Sequence, residues 1–313
     1  MGKIAWIFPG QGSQYVGMGK SLCTTYPEAC RVLEQAEHVL GSDLREVMFE
    51  GPEETLRQTR YAQPAIFALS VAVSKVLFSM GLRPDIVAGH SLGEYSALVA
   101  GGAIDFEDAV GLVYSRATCM QYACEQKTGT MCAILGLDDK MVEEVCRRID
   151  GGIVDVANFN SAEQVVISGE PEAVRLAGEE AKKRGAKRAV ALSVSGAFHS
   201  RLMRPAAERF EQSISSARIS APAAAFYPNV SAAVTVDAEQ IRENLLRQIC
   251  SPVRWQHSIT NMLKEGADTF IEVGPGKVLS GLLKRVNGSA VCLNAETPES
   301  LEQVYKHFHG ATR

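Results

Sequence analysis

The fold of this chain is decided by the stretch Asp85-Ile-Val-Ala-Gly-His-Ser-Leu-Gly-Glu94. The apolar run at 86–88 predicts a short buried strand, and the run at 94–100 predicts a helix. Between them lies a G-x-S-x-G pattern centred on Ser91, which has the spacing of a nucleophile elbow. In such a turn small residues permit close backbone approach, and free N–H groups at the helix N-terminus favour developing negative charge. The pattern alone is common by chance, so the flanking strand and helix are what make it specific.

The length and composition are those of a soluble globular protein. The chain has 313 residues, of which 46% are hydrophobic and 22% charged, enough for a large α/β domain that contains a smaller one. A net charge of −4 is evidence against general nucleic-acid binding. The N-terminus runs directly into a strand-like segment, so no signal peptide is predicted. The long apolar segment at 62–80 is interrupted by polar residues, which indicates a buried helix and no membrane span.

The eight cysteines show no C-x-x-C motif and no spacing typical of a metal site. Most lie in apolar periodic runs, as small core residues do. We therefore predict reduced thiols, a cytoplasmic protein and no bound metal.

Hydrophobic periodicity on both sides of the elbow predicts an α/β protein with a hydrolase-like core and a largely parallel sheet. A strand at 3–8 ends in the glycine-rich loop at 9–14, and a strand at 269–273 ends in a second glycine-rich turn. Helices are predicted at 27–40, and from Asp105 to about residue 125.

The middle of the chain has a different character. Between residues 130 and 193 the predicted order is β-α-β-β-α-β, the ferredoxin-like pattern. We predict a catalytic subdomain made of residues 1–127 and 196–313, with an inserted ferredoxin-like subdomain at 128–195. The run Asn158-Phe159-Asn160-Ser161 is predicted to be a loop between the two central strands.

One charged residue falls in an apolar row of the helix that follows Asp105. Arg116 lies three residues after Val113 and four before Met120, both apolar. A buried guanidinium costs free energy unless an anion meets it. The pattern therefore predicts an anion-binding arginine, with an internal ion pair to Glu94 or Asp108 as the structural alternative.

A serine hydroxyl needs a base that takes its proton. Of the six histidines, His199 is the best candidate, because it lies in an irregular loop far along the chain. His90 adjoins the serine, and the turn should point it elsewhere. The other four are predicted to be solvated or structural: His38, His257, His307 and His309. No acidic residue between 91 and 199 stands out as the third member of a triad, which is evidence against an ordinary esterase.

Several separate motifs together resemble one enzyme family. Over nearly its whole length the chain is similar to the malonyl-CoA:acyl-carrier-protein transacylases, the acyltransferases of fatty-acid and polyketide synthesis. The matching segments are Phe8-Pro-Gly-Gln-Gly-Ser13, Gly89-His-Ser-Leu-Gly-Glu94, Arg116, Ser195-Gly-Ala-Phe-His-Ser200, Leu246-Arg-Gln248 and Glu272-Val-Gly-Pro-Gly-Lys277. Such a set is far more specific than the elbow alone.

The resemblance implies a role for each of these residues. Ser91 would be the acylated nucleophile and His199 its base, oriented by the main-chain carbonyl of Gln248 in place of a carboxylate. Gln11 and the backbone N–H of Leu92 would form the oxyanion hole.

Three further residues would bind the acyl group. Arg116 would pair with the malonyl carboxylate. Ala197 and Phe198, just before the histidine, are similar to the malonyl-selective type, in which a bulky ring excludes an α-methyl branch. Ordinary core packing of Phe198 is the alternative.

The implied reaction is ping-pong transfer of a malonyl group from malonyl-CoA to the phosphopantetheine thiol of acyl carrier protein. We expect no cofactor, and no nucleic acid or membrane as partner. Nine basic residues could dock acidic CoA or carrier protein, or could be solvated: Lys182, Lys183, Arg184, Lys187, Arg188, Arg201, Arg204, Lys284 and Arg285.

Two other functions stay open at this point. A hydrolase that clears acyl groups from carrier proteins could use the same serine and histidine, although neutral acyl chains would gain nothing from Arg116. A non-catalytic module that binds carrier protein predicts a degraded site, yet all the key side chains are present.

Overall fold

The computed structural model describes residues 2–194 and 196–310. Three parts of the predicted segments lie outside the described residues: Ser195 in the loop before His199, and the chain ends at 1 and 311–313.

The described chain forms strands and helices that follow the predicted order closely. The strands are β1 (Lys3–Phe8), β2 (Ile86–Gly89), β3 (Thr130–Leu135), β4 (Val154–Ser161), β5 (Gln164–Gly169), β6 (Arg188–Ala191), β7 (Ala225–Tyr227), β8 (Ala267–Val273) and β9 (Val291–Ala295). The helices are α1 (Lys20–Thr25), α2 (Pro27–Leu40), α3 (Leu44–Glu50), α4 (Glu53–Arg57), α5 (Thr59–Ser79), α6 (Gly93–Ala100), α7 (Phe106–Gln126), α8 (Asp139–Arg148), α9 (Pro171–Lys183), α10 (Arg204–Ser215), α11 (Ala238–Gln248), α12 (Trp255–Lys264), α13 (Val278–Val286) and α14 (Pro298–His309). A short 3-10 turn, Arg201–Met203, precedes α10. The short helices α1, α3, α4 and α12 were not predicted.

A five-stranded sheet in the order β7-β2-β1-β8-β9 forms the centre of the larger part, and all its pairs are parallel. Side chains of β1 alternate between its two faces. Ala5 and Ile7 pack with Trp255 on one face, and Trp6 and Phe8 join the larger core on the other. Because helices cover both faces, the strand is apolar from Ile4 to Phe8, and Lys3 at its exposed start is the exception. The prediction of a largely parallel α/β core is confirmed.

Functional residues follow the carboxyl ends of three neighbouring strands. The glycine-rich loop follows β1, the elbow follows β2, and Asn229 lies two residues beyond β7. In a parallel sheet these ends meet at one edge, where α/β proteins bind their ligands. Segments far apart in sequence therefore converge on Ser91.

The second sheet is antiparallel throughout, with strand order β4-β5-β3-β6. Its apolar side chains pack with those of α8 and α9 as a separate small core. The predicted ferredoxin-like order of elements is confirmed. The proposed boundaries of this subdomain, 128 and 195, stay a prediction.

The predicted loop at Asn158–Ser161 is wrong: these four residues form the second half of β4. All four side chains are buried, Asn158 at 5% exposure. The polar composition suggested a loop, but this half of the strand lies against the larger part of the protein. The Phe159 N–H donates to the Val253 carbonyl, and the Val253 N–H donates to the Ala157 carbonyl. Tertiary pairing therefore extends the strand through residues that by themselves favour a turn.

Helix α5 is apolar on most faces, as predicted from its composition, and it begins three residues earlier than expected. Within the described residues it is the one helix long and apolar enough to cross a membrane, and 83% of its most apolar window is buried inside the protein. Its side chains belong to the main core, which accounts for the apolar composition.

Candidate active site

The elbow at Ser91 depends on two glycines. Ser91 has a φ of 52°, in the left-handed region that non-glycine residues seldom adopt. A Cβ added at Gly89 would lie 1.8 Å from the carbonyl carbon of Gly93, and one added at Gly93 would lie 2.1 Å from the Phe8 carbonyl oxygen. Neither position can accept a side chain without moving backbone. The G-x-S-x-G spacing is therefore a steric requirement of this turn.

His199 meets Ser91 directly, although 108 positions separate them. The Ser91 Oγ lies 2.8 Å from His199 Nε2, and His199 Nδ1 lies 2.8 Å from the main-chain carbonyl oxygen of Gln248. A carbonyl only accepts, so Nδ1 carries the proton and Nε2 is free to accept from the serine hydroxyl.

The ring of His199 is only 4% exposed. Burial and the positive charge of Arg116 lower the pKa of His199 to about 3. The imidazole is therefore neutral at neutral pH, which is the form that a base requires.

His90 points away from the nucleophile, as its place in the turn predicts. Its Nε2 lies 2.9 Å from Asn160 Oδ1 of β4, and its ring packs near Trp255. His90 thus joins the elbow to the antiparallel sheet, and the contact with Ser91 Oγ is made by His199.

Arg116 is completely buried on α7, in the apolar row where the sequence places it. One terminal nitrogen, Nη1, donates to Gln63 Oε1 at 2.7 Å. The other, Nη2, donates to Gln248 Oε1 at 2.8 Å and to Ser91 Oγ at 3.0 Å. Its three acceptors are uncharged oxygens. The guanidinium thus lies within hydrogen-bond distance of the Ser91 hydroxyl.

The structure does not support the alternative of an internal ion pair for Arg116. Asp108 pairs with Arg218, with Nε and Oδ2 2.9 Å apart. Glu94 is linked to Arg116 through the side chain of Gln248 and not by direct contact. Over residues 2–194 and 196–310, Arg116 forms no salt bridge with any carboxylate.

Two residues beside Ser91 have backbone N–H groups available to an oxyanion. Gln11 and Leu92 line the same cavity, and in the described part of the chain neither N–H donates to a protein acceptor. The side chain of Gln11 is occupied, since Nε2 donates to Thr59 Oγ1 at 3.3 Å and Oε1 accepts from Gln63 at 3.4 Å. The main chain is therefore the available part of Gln11, and Leu92 caps the N-terminus of α6.

A buried polar layer supports the elbow from below. The Ser91 N–H donates to Asn229 Oδ1 at 2.7 Å, and Asn229 Nδ2 donates to the Gly89 carbonyl at 2.6 Å. Glu94 accepts from the Asn229 N–H and from Gln248 Nε2. These contacts fix both sides of the turn that presents the serine.

A cavity of about 640 Å³ opens beside the serine and is lined by both parts of the molecule. Ser91, Arg116 and His199 contribute from the larger part, and Asn160 and Val166 contribute from the antiparallel sheet. The volume falls within the range of small-molecule sites.

The two residues before the histidine have different surroundings. Phe198 lines the cavity with 7% of its surface exposed. Ala197 is buried at 1% and packs against Gly129, where an added Cβ would lie 2.5 Å from the Ala197 Cβ. The structure thus places Phe198, and not Ala197, against the cavity.

Two site residues, Gln63 and Asn229, were missed from the sequence, and Glu94 was considered there only as an ion-pair partner for Arg116. Gln63 and Glu94 are buried at 1% and 0%, and Asn229 at 0%. Gln63 is a polar residue within the most apolar helix, and Asn229 follows a strand at the carboxyl edge of the sheet. Both features are visible in the sequence, but neither says which partner the amide meets.

A serine beside a neutral imidazole, with two N–H groups that donate to no acceptor within the described residues, fits one class on an α/β fold: an acyl-transfer enzyme. The acyl transferase domain family matches residues 5–297. The chain belongs to this family.

Individual relatives agree with this assignment. The malonyl CoA-acyl carrier protein transacylase of Bacillus subtilis is 46% identical over 304 residues, which cover 96% of each chain. The transacylase of the same name from Haemophilus influenzae is 43% identical, over 97% of this chain and 98% of that one.

Solved structures extend the likeness to three dimensions. The malonyl CoA-acyl carrier protein transacylase of Coxiella burnetii superposes with a TM-score of 0.95 at 39% identity, over 97% of both chains. A malonyl-transacylase in complex with its type II PKS acyl-carrier protein also gives 0.95, at 41% identity, over 97% of this chain and 99% of that one.

Proposed function

We propose that this acyltransferase moves a malonyl group from malonyl-CoA to the phosphopantetheine thiol of an acyl carrier protein, through a malonyl ester on Ser91. The observation that supports this best is the buried Arg116 guanidinium, 3.0 Å from the Ser91 Oγ and bonded only to neutral oxygens. A short acyl group with a terminal carboxylate supplies the missing negative charge.

In the first half-reaction Ser91 Oγ attacks the thioester carbonyl while His199 Nε2 takes the hydroxyl proton. The oxyanion accepts from the backbone N–H groups of Gln11 and Leu92. Losing one such donor typically costs about 10²–10³ in kcat. The tetrahedral intermediate collapses, the C–S bond breaks, and the proton on His199 passes to the departing CoA thiolate.

The second half-reaction reverses these steps with a different thiol. The phosphopantetheine thiol gives its proton to His199 and attacks the malonyl ester. The serine oxygen leaves, takes the proton back, and releases malonyl-phosphopantetheine. This is ping-pong transfer, and protons and leaving groups balance in each half.

These steps need only side chains and backbone N–H groups of the protein and the two substrates, so we propose that no cofactor or metal takes part. We also propose that the protein acts in the cytoplasm, where both substrates of such a reaction are made.

Among the basic residues considered for docking, Arg184 and Arg201 are held by ion pairs with Glu180 at 2.8 Å and Asp155 at 3.0 Å.

Mass spectrometry of the intact protein tests the proposal. Wild-type protein mixed with malonyl-CoA should gain the mass of one malonyl group, and addition of holo acyl carrier protein should remove it. Ser91→Ala should gain nothing, because no oxygen remains to carry the ester. A hydrolase would lose the adduct in water before carrier protein is added, and that result would contradict the proposal.

From the position of the Phe198 ring we propose that the enzyme prefers malonyl-CoA to methylmalonyl-CoA. Phe198 directly precedes His199 in the chain and lines the same cavity, so we propose that its ring takes up the space an α-methyl branch would need. We expect malonyl-CoA to be used with a higher kcat/KM than methylmalonyl-CoA, by roughly the 10–200-fold that one methyl group can contribute. Phe198→Ala should narrow that ratio, and equal use of both thioesters by the wild type would assign the ring to core packing.

A further inference from the structure

We infer that Glu94 is a positioning residue: it fixes the orientation of the Gln248 side-chain amide, and through that amide it holds the Arg116 guanidinium ready for the acyl carboxylate. The inference rests on the proposed function and concerns how the selective cation is held before substrate arrives.

Both carboxyl oxygens of Glu94 accept hydrogen bonds. It lies in the first turn of α6 and is completely buried. Oε1 accepts from the Asn229 N–H and Oε2 accepts from Gln248 Nε2. Burial raises the pKa of Glu94 to about 8, although the Asn229 N–H, the charge of Arg116 and the Gln248 amide oppose that rise. The two donors match the carboxylate form, which accepts on both oxygens and predominates above about pH 8.

The amide of Gln248 has one donor end and one acceptor end, and the surroundings require a particular arrangement. Its nitrogen donates to Glu94 and, at 2.9 Å, to the main-chain carbonyl of Ser91. Its oxygen accepts from Arg116 Nη2 at 2.8 Å. A guanidinium only donates and a carboxylate only accepts, so the reverse orientation would place donor against donor and acceptor against acceptor.

The chain of contacts therefore links a buried anion to the anion-binding cation without neutralising it directly. A carboxylate in contact with Arg116 would compete with the acyl group. An amide between the two keeps the guanidinium in place and leaves its charge available to substrate.

The substitution Glu94→Gln separates this role from general support of the elbow. Its side-chain oxygen can still accept from the Asn229 N–H, so the contact beneath Ser91 is kept. Its nitrogen then faces Gln248 Nε2, donor against donor, and Gln248 must rotate. Rotation takes the amide oxygen away from Arg116 and the amide nitrogen away from the Ser91 carbonyl.

The experiment is rapid-mixing measurement of acyl-enzyme formation, by intact mass, with malonyl-CoA and with acetyl-CoA. We expect Glu94→Gln to lower kcat/KM for malonyl loading by about 10- to 100-fold, the scale of one hydrogen bond to a charged group. The loss should appear mainly in KM. Acetyl loading should fall clearly less than malonyl loading, because a neutral acyl group makes no use of Arg116 and is affected only through the lost bond to the Ser91 carbonyl. Equal losses for both thioesters, or no loss for either, would overturn the inference.

A double-mutant cycle with Gln248→Leu supplies the matched control. Leucine keeps the main-chain carbonyl that meets His199. It removes the bridge between Glu94 and Arg116 together with the bond from Gln248 Nε2 to the Ser91 carbonyl. The Glu94→Gln/Gln248→Leu variant should be no more impaired in malonyl loading than the worse single variant, because both changes break one connection. Multiplying effects would show that the two residues act separately and would contradict the inference.

Two further outcomes are distinguishable. If wild-type protein forms no malonyl adduct, the proposed function fails and the inference with it. If it loads malonate and the singles load equally well, only the inference fails. Should Glu94→Gln not fold, Glu94→Asp keeps an acceptor-only carboxylate and should retain the malonyl-to-acetyl ratio that Gln248→Leu loses.

Discussion

Two buried charges near the same edge of the parallel sheet have opposite surroundings. The carboxylate of Glu272, at the end of β8, accepts from the N–H groups of Leu279 and Ser280 at 2.9 and 2.8 Å. It also accepts from Ser280 Oγ at 2.6 Å and Asn294 Nδ2 at 3.2 Å. These donors come from the N-terminus of α13 and from β9, and together they saturate both oxygens.

The guanidinium of Arg116 is equally buried, but its charge and its hydrogen-bond donors are only partly satisfied by the protein. Its acceptors are neutral, and its Nε has no hydrogen-bond partner within residues 2–194 and 196–310. It also lines the cavity, whereas Glu272 does not. Burial of a charge is costly in both places. A buried charge whose hydrogen bonds are satisfied by the protein therefore stabilises the fold. A buried charge that lacks its counter-charge and faces a cavity marks a binding site.

Removing the incomplete charge should have the largest effect. Arg116→Ala takes away the donors proposed for the malonyl carboxylate, each charge-assisted bond contributing about 1.5–3 kcal/mol. We expect kcat/KM for malonyl loading to fall by about 10²–10³, with acetyl loading comparatively unharmed. Kinetics of acyl-enzyme formation with the two thioesters check this.

Arg116→Lys is the matched control for that prediction. It keeps one positive charge but loses the planar fork that can hold two carboxylate oxygens, so its malonyl loading should lie between those of wild type and Arg116→Ala. A loss of acetyl loading as large as the malonyl loss would mean that Arg116 supports the serine and not the acyl carboxylate.

The charge of Arg116 should also affect how the rate of acyl-enzyme formation depends on pH. A base works only when neutral, so lowering the pKa of His199 to about 3 extends activity toward acid pH. Acetyl loading, which is independent of malonate recognition, should stay nearly constant from pH 8 down to pH 5. An imidazole at its ordinary pKa of about 6.5 would lose about 30-fold over that range.

The pH profile of Arg116→Ala tests how much the arginine charge contributes to the low pKa of His199. Burial is the larger cause of the low pKa and the arginine charge the second, so the variant should begin to lose acetyl loading at a higher pH than the wild type. A wild-type rate that falls tenfold per pH unit below about 6.5 would contradict the assignment of His199 as a buried neutral base.

Much of this arrangement could be predicted from the sequence, because its signals are local. The elbow needs glycine at two positions for steric reasons, and the helix containing Arg116 shows a charge in an apolar row. The hydrophobic periods predicted α2 at 27–40 with the same bounds as the structure. Such features follow from the backbone geometry of one segment.

The residues that the sequence could not place depend on partners distant in the chain. Nothing near Gln63 predicts that it meets Arg116, 53 residues away. Residues 158–161 have a loop-like composition but form a strand, because they pair with β5 on one side and Asn158 pairs with Val253 on the other. The resemblance supplied Gln248 as the partner of His199, but the two uses of its side chain emerge only when α11 lies beneath the elbow.

The smallest change in activity is expected from substitution of Glu272, the buried carboxylate whose two oxygens already accept hydrogen bonds. Glu272→Gln puts an amide nitrogen among donors and breaks at least one of the bonds from α13 or β9, which should lower the free energy of unfolding by about 1–3 kcal/mol. Malonyl loading per folded molecule should be nearly unchanged, because Glu272 forms no hydrogen bond with Ser91, His199 or Arg116 and meets the cavity wall only through the backbone N–H of Leu279. Urea unfolding and acyl-enzyme kinetics on the same sample separate the two effects. A variant with wild-type stability and impaired loading would show that this cluster belongs to the site and that saturation does not distinguish the two charges.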